Sequence, residues 1–506
     1  MSEPTVIVVG GGLAGITVAR ELALRNCRVT ILERTGRLGG KAGSDFKHGR
    51  LWEHGYHVFP AWYPNIRGIL SRLGVRLIDF DCYHYLLRGV YPQRVTVRGP
   101  SSVSALLYNT FRGLLPWYHM ILYNYSVLDM ISRPLSEKRF LDRVSQVGLL
   151  RGKWYASESV AEIGQENILK ATAIPAYDLS AMTAKRFIGF WMRQAAPFLS
   201  VLPGDLQEVF IEPQVRELEA LGVDIQYHCE VRQVKVRNGS VDSVTLQDNS
   251  SRTADIFALC TPFEVTRNWL DDSFLAADPS LGNMHFLEAY PMAAFHVRLR
   301  QPIDDLPREH IFFHDSQYAL SLIEVGHLWT GDAGPSELSF IASNFLPLRE
   351  VSNERAAEIL LTEIAEYLPL TSDNIEGWEL HPNTDLPLFI NTIGAWHNRP
   401  LPSTSLPNLY LAGDYVKNSV DLACMEGAVS SALSASAAIL HDRNIPGPHP
   451  IPETPPEWPR ALLVAARILL IPLIVLARVI AWLDEQARPG PSSARRPPGL
   501  KLPGQR

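Results

Sequence analysis

The sequence predicts an α/β fold that begins with a strand–turn–helix–strand unit, and three local observations support this. An apolar run at residues 6–9 is typical of a buried strand. Gly10, Gly12 and Gly15 then form a G-x-G-x-x-G turn directly before a helix of small and apolar residues. A second strand is predicted at residues 28–32. In this order the pattern predicts a Rossmann-type dinucleotide site, because the glycines let backbone amides approach a pyrophosphate.

The residues around this turn extend the prediction. Glu33 ends the second strand 18 residues after Gly15, close to the roughly 20 expected of the acid that binds an adenosine ribose. Leu13 and Ala14 open the helix, whose N-terminal partial charge favours phosphate. A second glycine-rich turn with cations follows; its residues are Arg34, Arg37, Gly39, Gly40 and Lys41.

This extended pattern resembles the start of the FAD-binding amine oxidase and carotenoid desaturase superfamily. The resemblance implies FAD, with the second turn lying along the pyrophosphate. The chain contains no other G-x-G-x-x-G, so we expect no separate NADPH domain and an organic substrate as the source of electrons.

Size and composition limit the function classes. With 506 residues, 46% of them hydrophobic, the chain can bury a large core and form two domains. The net charge is −6 and the cations are dispersed until the extreme C-terminus, so we expect no nucleic acid partner. Five cysteines without a C-x-x-C pair predict thiols in a reducing compartment, and we predict no metal site. The short N-terminus leaves no room for a signal peptide, which predicts a cytoplasmic body.

A second motif covers residues 53–65. Its G-x-H-x-F core, which contains Gly55, Tyr56 and His57, is followed by aromatics and an Asn. This stretch resembles the plant and cyanobacterial type of phytoene and zeta-carotene desaturases, which implies that the loop lies beside the isoalloxazine ring. His57 is the best candidate for a catalytic base, the alternative being a packing histidine of the loop.

The third motif lies at residues 408–440, where a strand ends at Gly413 and Asp414 and an Ala- and Ser-rich helix follows. Two motifs in this stretch, A-G-D-Y-x-K and C-M-E-G-A-V, resemble those of phytoene desaturase. The resemblance implies that Asp414 binds the ribityl-phosphate region and that the helix N-terminus faces the flavin N1–O2 edge. It also implies that the backbone of Val231 pairs with the adenine. The predicted contacts in the helix are Met425, Gly427 and Ala428.

Two differences separate this chain from amine oxidases of the same superfamily. These generally place a lysine that bridges through water to the flavin N5, whereas this chain has no lysine between Lys235 and Lys417. Monoamine oxidases have a tyrosine just before the M-E-G-A helix, where this chain has Cys424. Their cysteine for covalent flavin attachment also has no counterpart here. We therefore expect non-covalent FAD.

Two apolar regions suggest contact with a membrane. Residues 101–134 are apolar and aromatic but interrupted by Gly113 and Pro116, so they predict core helices, a pocket lid or a surface that dips into the bilayer. Residues 461–483 carry only Arg467 and Arg478 as charges, which lie on one side of a helix. This predicts an anchor that spans the bilayer or lies in its interface; a helix packed on the body is the alternative.

The predicted fold is thus a glutathione-reductase-like FAD-binding Rossmann domain, a mixed α+β substrate domain and a C-terminal membrane-associated helix. The predicted boundaries are 1–98, 205–285 and 380–445 for the FAD domain, 99–204 and 286–379 for the substrate domain, 446–459 for a Pro-rich linker, 460–486 for the apolar helix and 487–506 for a basic disordered tail.

The resemblance and the apolar regions together predict an FAD-dependent oxidoreductase that desaturates a long lipophilic isoprenoid at the cytoplasmic face of a membrane. The substrate loses hydride to the flavin and a proton to a base or solvent, and a membrane quinone is the candidate electron acceptor. The alternatives are an FAD-dependent amine oxidase and a non-redox flavin-dependent isoprenoid isomerase or dehydroxylase.

Overall fold

The computed structural model describes residues 3–487 except 48, 101, 194–196, 332–335, 386 and 455–457. Its strands are β1 Thr5–Val9, β2 Arg28–Leu32, β3 Ser44–Lys47, β4 Arg50–Glu53, β5 Ile78–Phe80, β6 Cys82–Leu86, β7 Arg94–Arg98, β8 Leu199–Val201, β9 Asp224–Gln226, β10 Val231–Arg237, β11 Ser240–Leu246, β12 Ser251–Arg252, β13 Ile256–Leu259, β14 Glu288–Tyr290, β15 Ala293–Leu299, β16 His310–Phe313, β17 Leu320–Glu324, β18 Ser336–Ala342, β19 Ile375–His381, β20 Leu388–Ile390 and β21 Leu409–Leu411.

The α-helices are α1 Leu13–Ala23, α2 Pro64–Arg72, α3 Val103–Arg112, α4 Trp117–Ser132, α5 Lys138–Leu141, α6 Gln146–Arg151, α7 Glu158–Thr172, α8 Ala181–Arg193, α9 Glu212–Ala220, α10 Phe263–Arg267, α11 Asp272–Ala277, α12 Val325–Thr330, α13 Asn353–Ile364, α14 Ala395–Asn398, α15 Met425–Asp442, α16 Arg460–Leu469 and α17 Ile471–Ala487. Short 3₁₀ turns and a π-helical turn at Gln207–Ile211 complete the regular structure.

The first sheet has the order β21-β13-β1-β2-β9, and all of its pairings are parallel. Its strands therefore end at one edge, where a ligand site is expected in an open α/β sheet. The predicted strand–turn–helix–strand unit is confirmed, since β1, α1 and β2 follow one another as the sequence indicated.

Side chains of β1 alternate between two cores. Val6 and Val8 pack in the cluster that contains the buried faces of α1 and α15. Ile7 and Val9 pack on the other side, against the antiparallel sheet β10-β11-β12. The β10–β11 hairpin turns at Asn238–Gly239, both of which have positive φ (53° and 73°). Because the parallel sheet is covered on both faces, its central strands β1 and β13 are almost entirely apolar.

The second large sheet has the order β19-β15-β18-β17-β16-β6-β7. It is antiparallel apart from the β16–β6 pair, in which His310 lies opposite Tyr83. The predicted FAD domain includes residues 82–98, whereas the structure pairs β6 and β7 within this second sheet. The difference arises from a pairing across more than 200 residues, which the pattern of a short strand does not specify.

The helical region is centred on α4. The predicted interruption at Gly113 and Pro116 is confirmed, because it separates α3 from α4. Helix α4 packs against α3, α7, α8, α16 and α17. Residues 101–134 are therefore partly a core element and partly, through α3, a surface.

The predicted single helix over 460–486 is wrong in one respect: the structure has two helices, α16 and α17, bent by 52°. The break at Leu470 has a direct cause, because Pro472 in the first turn of α17 has no amide hydrogen and its ring disfavours continuation of the preceding helix. Among the described residues, no helix alone has the length and composition to cross a bilayer; α16 and α17 meet that test only together. The predicted tail lies outside the described residues from 488 onward.

One face of the α16–α17 pair packs on the body, and Ile474, Ala477 and Ala481 are buried there. Arg467 Nη1 donates to Asp129 Oδ1 (2.7 Å), and Arg478 pairs with Glu485 (3.2 Å). The opposite face of the pair carries exposed apolar side chains, which include Leu462, Ile468, Leu469, Leu476, Trp482 and Leu483.

Candidate functional site

The turn between β1 and α1 forms the first part of the site. Gly10 has a φ of +99°, and its amide donates to the carbonyl of Leu32 at the end of β2 (2.9 Å). A Cβ on Gly15 would lie 1.9 Å from the Gly10 carbonyl oxygen, so glycine is required for α1 to start this close to β1. Leu13 and Ala14 are buried in the first turn of α1. The free amides of that turn are available to an anion.

Glu33 is held beside this turn. Its Oε2 accepts a hydrogen bond from the Gly11 amide (2.8 Å), and its Oε1 accepts from the amide and hydroxyl of Thr35 (2.9 and 2.8 Å). The Glu33 carbonyl accepts from the Cys229 amide (2.8 Å), two residues before Val231 at the start of β10. The predicted ribose acid and the predicted adenine contact therefore lie at the same end of the sheet.

The second glycine turn lies against the first. The Gly39 amide donates to the Gly11 carbonyl (2.8 Å), and Gly12 and Gly39 form a parallel bridge. A Cβ on Gly12 would meet no atom nearer than 4.0 Å, and the atoms at that distance belong to Gly39 and Gly40. The two turns thus enclose a backbone-lined cradle that side chains would fill. A cradle of this kind fits the pyrophosphate of a dinucleotide.

The predicted cations point away from the cradle or along its rim. Arg34 is exposed, and the Arg37 guanidinium lies over the Phe46 ring (5.4 Å to its centroid). Lys41 Nζ donates to the Pro387 carbonyl (2.5 Å). Their contacts with a cofactor stay predictions.

A third part of the site lies after β21. Gly413 is anchored through its amide, which donates to Ser431 Oγ of α15 (2.9 Å), and Asp414 follows it at the strand end. Met425, Gly427 and Ala428 form the first turn of α15, where the Gly427 amide donates to Cys424 Sγ (3.4 Å).

Sequence reasoning missed Arg399, which fixes this loop. Its side chain is fully buried and donates to three carbonyl groups, those of Asp414, Tyr415 and Val416 (3.1, 2.9 and 2.6 Å). It also pairs with Asp421 (3.2 Å). No local motif marks Arg399, so its role follows only from the folded chain.

The loop at residues 53–59 reaches the second sheet. Tyr56 OH lies 2.6 Å from His310 Nε2 and 2.5 Å from Ser321 Oγ, which tethers the loop to β16 and β17. His57 Nδ1 is buried and has no hydrogen-bond partner among the described residues. Burial, with His54 nearby, lowers the pKa of His57 to about 4, so the imidazole is neutral at pH 7.

Glu53 is a second functional residue that sequence reasoning missed. Its Oε1 accepts from the Leu206 amide (2.7 Å). Burial, together with nearby Asp205, raises the pKa of Glu53 well above its usual range. A carboxyl group with so high a pKa can carry a proton at neutral pH.

Glu53, Tyr56 and His57 line one small cavity of about 20 Å³. The remaining wall of this cavity is almost entirely apolar and consists of Val201, Leu202, Gly204, Ile323, Val325, Leu328 and Trp329. The loop thus presents an imidazole that is neutral at pH 7 and a carboxyl group with a raised pKa to an apolar space.

Glu426 links the first turn of α15 to α2. Its carboxylate accepts from the Asn65 amide (3.0 Å), Asn65 Nδ2 (2.6 Å) and the Ile66 amide (2.9 Å). The two backbone amides are otherwise free donors at the start of α2. Asn65 also exchanges two hydrogen bonds with the backbone of Glu453 in the Pro-rich segment (2.9 Å each). Burial raises the pKa of Glu426 to about 7.

Known proteins resemble this chain over most of its length. It is 22% identical over 463 residues to 15-cis-phytoene desaturase of Solanum lycopersicum, covering 86% of this chain and 78% of the relative. The same identity holds for the Synechococcus elongatus desaturase, at 86% and 95% coverage. Carotenoid phi-ring synthase of Streptomyces griseus is 25% identical, at 88% and 89% coverage.

Solved structures support the fold. A putrescine oxidase structure superposes with a TM-score of 0.67 at 17% identity, covering 87% of this chain and 99% of the other. An oxidoreductase of Methanosarcina mazei superposes with a TM-score of 0.64 at 14% identity, with 85% and 99% covered.

The family model for flavin containing amine oxidoreductases matches residues 13–440, which include the second glycine turn, the loop at residues 53–59 and the first turn of α15. The cradle and the acid beside it suit the cofactor that this family uses, FAD. The chain is therefore an FAD-dependent oxidoreductase and belongs to the flavin containing amine oxidoreductase family.

Proposed function

We propose that this protein desaturates a long lipophilic isoprenoid of the carotenoid-precursor class. The observation that carries the proposal is the similarity to 15-cis-phytoene desaturases over 86% of this chain, and the small apolar cavity beside His57 agrees with it. An apolar wall with few polar groups suits a hydrocarbon, which offers no group for hydrogen bonding.

The site residues divide into those that hold the cofactor and those that face the substrate. We propose that the two glycine turns, Glu33, Val231, Asp414 and the first turn of α15 hold FAD without a covalent bond. When bound, FAD supplies the acceptor for the hydride that leaves the substrate. Arg34, Arg37 and Lys41 would add positive charge at the rim. A membrane quinone is the proposed final electron acceptor.

The substrate-facing residues exclude water and handle the proton. Val325, Leu328 and Trp329 form part of the apolar wall, and the Tyr56 tether fixes the loop that carries His57. The neutral His57 has a free Nδ1, which makes it the proposed acceptor of the proton that a desaturation releases.

We propose that the protein lies on the cytoplasmic face of a membrane without crossing it. The exposed apolar side chains of α16 and α17 support this, and so do those of α3, where Val103, Leu107 and Phe111 follow one another at helical spacing. These three helices all pack on α4, so their exposed faces belong to one region of the surface. A patch of this kind would give access to a substrate dissolved in lipid.

The test is pigment analysis of a bacterium that accumulates phytoene, with and without this protein. We expect products that have lost hydrogens in pairs and absorb at longer wavelength. Unchanged phytoene, in the presence of folded FAD-loaded protein, would refute phytoene as the substrate. Feeding carotenoids with ring end groups would then test the likeness to carotenoid phi-ring synthase. A product of the same mass as its substrate would identify an isomerase, and one that lacks an oxygen atom a dehydroxylase.

An amine oxidase is the second candidate, since a putrescine oxidase shares the fold. The cavity argues against it, because its wall is almost entirely apolar and burial raises the pKa of Glu53, the acid in that wall, which disfavours a carboxylate that could pair with an ammonium group. Release of hydrogen peroxide on addition of amines would favour this candidate over the desaturase.

A further inference from the structure

A second cluster of reactive side chains lies on the edge of the seven-stranded sheet, outside the FAD site. Cys82 and His84 are two residues apart on β6 and so lie on the same face of the strand. Glu309 directly precedes β16, which runs parallel to β6 with His310 opposite Tyr83. The register therefore brings a thiol, an imidazole and a carboxyl group together from positions far apart in the chain.

The distances within this cluster suit a tetrahedral metal ion. His84 Nε2 lies 3.3 Å from Glu309 Oε2 and 3.8 Å from Cys82 Sγ, and the three ligand atoms lie within 4.8 Å of one another. Bond lengths of about 2.0 Å to nitrogen and oxygen and about 2.3 Å to sulfur place tetrahedral ligand atoms roughly 3.3–3.6 Å apart. The Nε2–Oε2 distance lies in that range, and Cys82 Sγ would have to move closer to His84 Nε2 to complete the geometry.

A neighbouring hydroxyl orients the imidazole. His84 Nδ1 lies 3.0 Å from Thr96 Oγ1, which belongs to the position opposite His84 on β7. When Nδ1–H donates to Thr96, Nε2 carries the lone pair and faces Cys82 and Glu309. Histidine ligands of metals ordinarily have such a partner on the second nitrogen.

The charges around the cluster are compatible with a cation. Asp81 adjoins Cys82 and adds negative charge. Two arginines are also near, but each is engaged elsewhere: Arg94 Nη1 donates to the Asp305 carbonyl (3.0 Å), and the Arg98 guanidinium lies over the Tyr108 ring (3.9 Å to its centroid). Ionised Cys82 and Glu309 would neutralise a divalent ion between them.

We propose that Cys82, His84 and Glu309 bind a divalent transition-metal ion, with Zn²⁺ as the preferred species. A mixed thiolate, imidazole and carboxylate set is typical of zinc, and three protein ligands leave one coordination position for water or another ligand. Glu309 also lines an open cavity of about 440 Å³, together with Asp79, Arg308 and His327. This revises the expectation that the chain has no metal site.

The test is a zinc titration of the FAD-loaded full-length protein, after treatment with a chelator, in competition with a chromophoric zinc indicator. We expect one Zn²⁺ per chain in the wild type. Cys82→Ala and His84→Ala should weaken binding by more than about 100-fold, beyond the roughly 10- to 100-fold known for outer partners. The matched control is Cys229→Ala, a partly buried thiol in the loop between β9 and β10 that should bind zinc like the wild type.

Two further variants keep the proposal testable if Cys82→Ala does not fold, which loss of bound FAD would reveal. Glu309→Gln changes a partly exposed side chain and should weaken binding, while Thr96→Val should weaken it about 10- to 100-fold through the tautomer of His84. With Co²⁺ as the probe, wild type should show a thiolate-to-cobalt charge-transfer band that Cys82→Ala lacks. Equal zinc binding by wild type and Cys82→Ala, or none by wild type at micromolar zinc, would overturn the proposal.

Discussion

In the proposed mechanism, individual residues of the cavity accept and transfer the proton that the substrate releases. His57 has a free Nδ1 and is neutral at pH 7, so it can accept a proton. We predict that His57→Ala lowers turnover by about 10²- to 10⁴-fold, the usual range for a general base, with FAD still bound. The measurement is single-turnover flavin reduction with the isoprenoid substrate. A variant with full turnover would remove His57 from the mechanism.

Glu53 allows a finer distinction between chemistry and structure. Glu53→Gln keeps the size of the side chain and an oxygen for the Leu206 amide, but it has no proton to exchange. If Glu53 carries the proton onward to solvent, flavin reduction should slow by about 10²-fold while absorbance of bound FAD is unchanged. A rate of flavin reduction equal to that of wild type would make Glu53 a structural acceptor only. The control is Ser44→Ala, which removes a hydrogen bond to Asp205 but leaves the Glu53 side chain in place.

His310 gives the protein a pH-dependent stability. Burial lowers its pKa from 6.5 to about 3, so the folded state keeps the ring neutral where the unfolded chain would protonate it. Its contribution is full above pH 6.5 and is lost as pH falls toward 3, by about 1.4 kcal/mol per unit. We predict that the stability of wild type relative to His310→Gln shrinks between pH 6.5 and 5 in thermal unfolding. A constant difference would contradict the burial of a neutral His310.

Residues of the cofactor site were predictable to the extent that their signal is local. Gly10, Gly12 and Gly15 were found because a short turn of fixed geometry needs glycine at fixed spacing, and the structure places them in that turn. Arg399 and Glu53 were missed for the opposite reason. Their partners come from other segments, and a single buried Arg or Glu leaves no pattern in the sequence.

Among the elements, α2 and α15 are coupled through one carboxyl group. Glu426 supplies the acceptor for the two free amides at the start of α2, and α15 presents its first turn to the proposed FAD site. Glu426→Ala would leave those buried donors unpaired, and each unpaired buried donor lowers the free energy of unfolding by about 1–3 kcal/mol. We predict a lower melting temperature and weaker FAD retention.

The control for Glu426→Ala is Glu453→Ala, because only the backbone of Glu453 bonds to Asn65. That variant should match wild type in both measurements. An unchanged melting temperature in Glu426→Ala would show that the α2–α15 link contributes no stability. The sequence indicated both helices but not this link, since the paired residues are 361 positions apart.

At the scale of the whole molecule, the parallel sheet was predictable and the second sheet was not. The order β1, α1, β2 follows from contiguous residues, whereas β6 pairs with β16, which lies more than 200 residues later in the chain. Likewise, the apolar composition of residues 461–483 predicted an anchor but not the bend, which depends on Pro472 and on packing against α4. Composition specifies the amount of apolar surface, and packing decides which part of it stays exposed.

The exposed faces of α3, α16 and α17 give the last prediction, which concerns how the molecule meets a membrane. Leu107 and Phe111 are 54% and 64% exposed, so changing both to serine should cost little folding energy. Burial of each of these side chains in a bilayer would contribute roughly 1.5–3 kcal/mol to the binding free energy. We therefore predict that Leu107→Ser with Phe111→Ser lowers binding to phosphatidylcholine vesicles by about 10²-fold or more in a sedimentation assay. Because these lipids carry no net charge, the assay isolates the apolar contribution.

A matched control is available elsewhere on the surface. Phe286 is 67% exposed and belongs to a 3₁₀ segment that packs on α10, α11 and α14, away from α4. Phe286→Ser should therefore bind vesicles like the wild type. Equal loss in both variants would indicate a nonspecific hydrophobic effect, and equal binding by wild type and the double variant would exclude α3 from the membrane contact. If α3 is excluded, the exposed apolar side chains of α16 and α17 would have to supply the whole affinity. Truncation before Arg460 removes both helices and should then abolish vesicle binding.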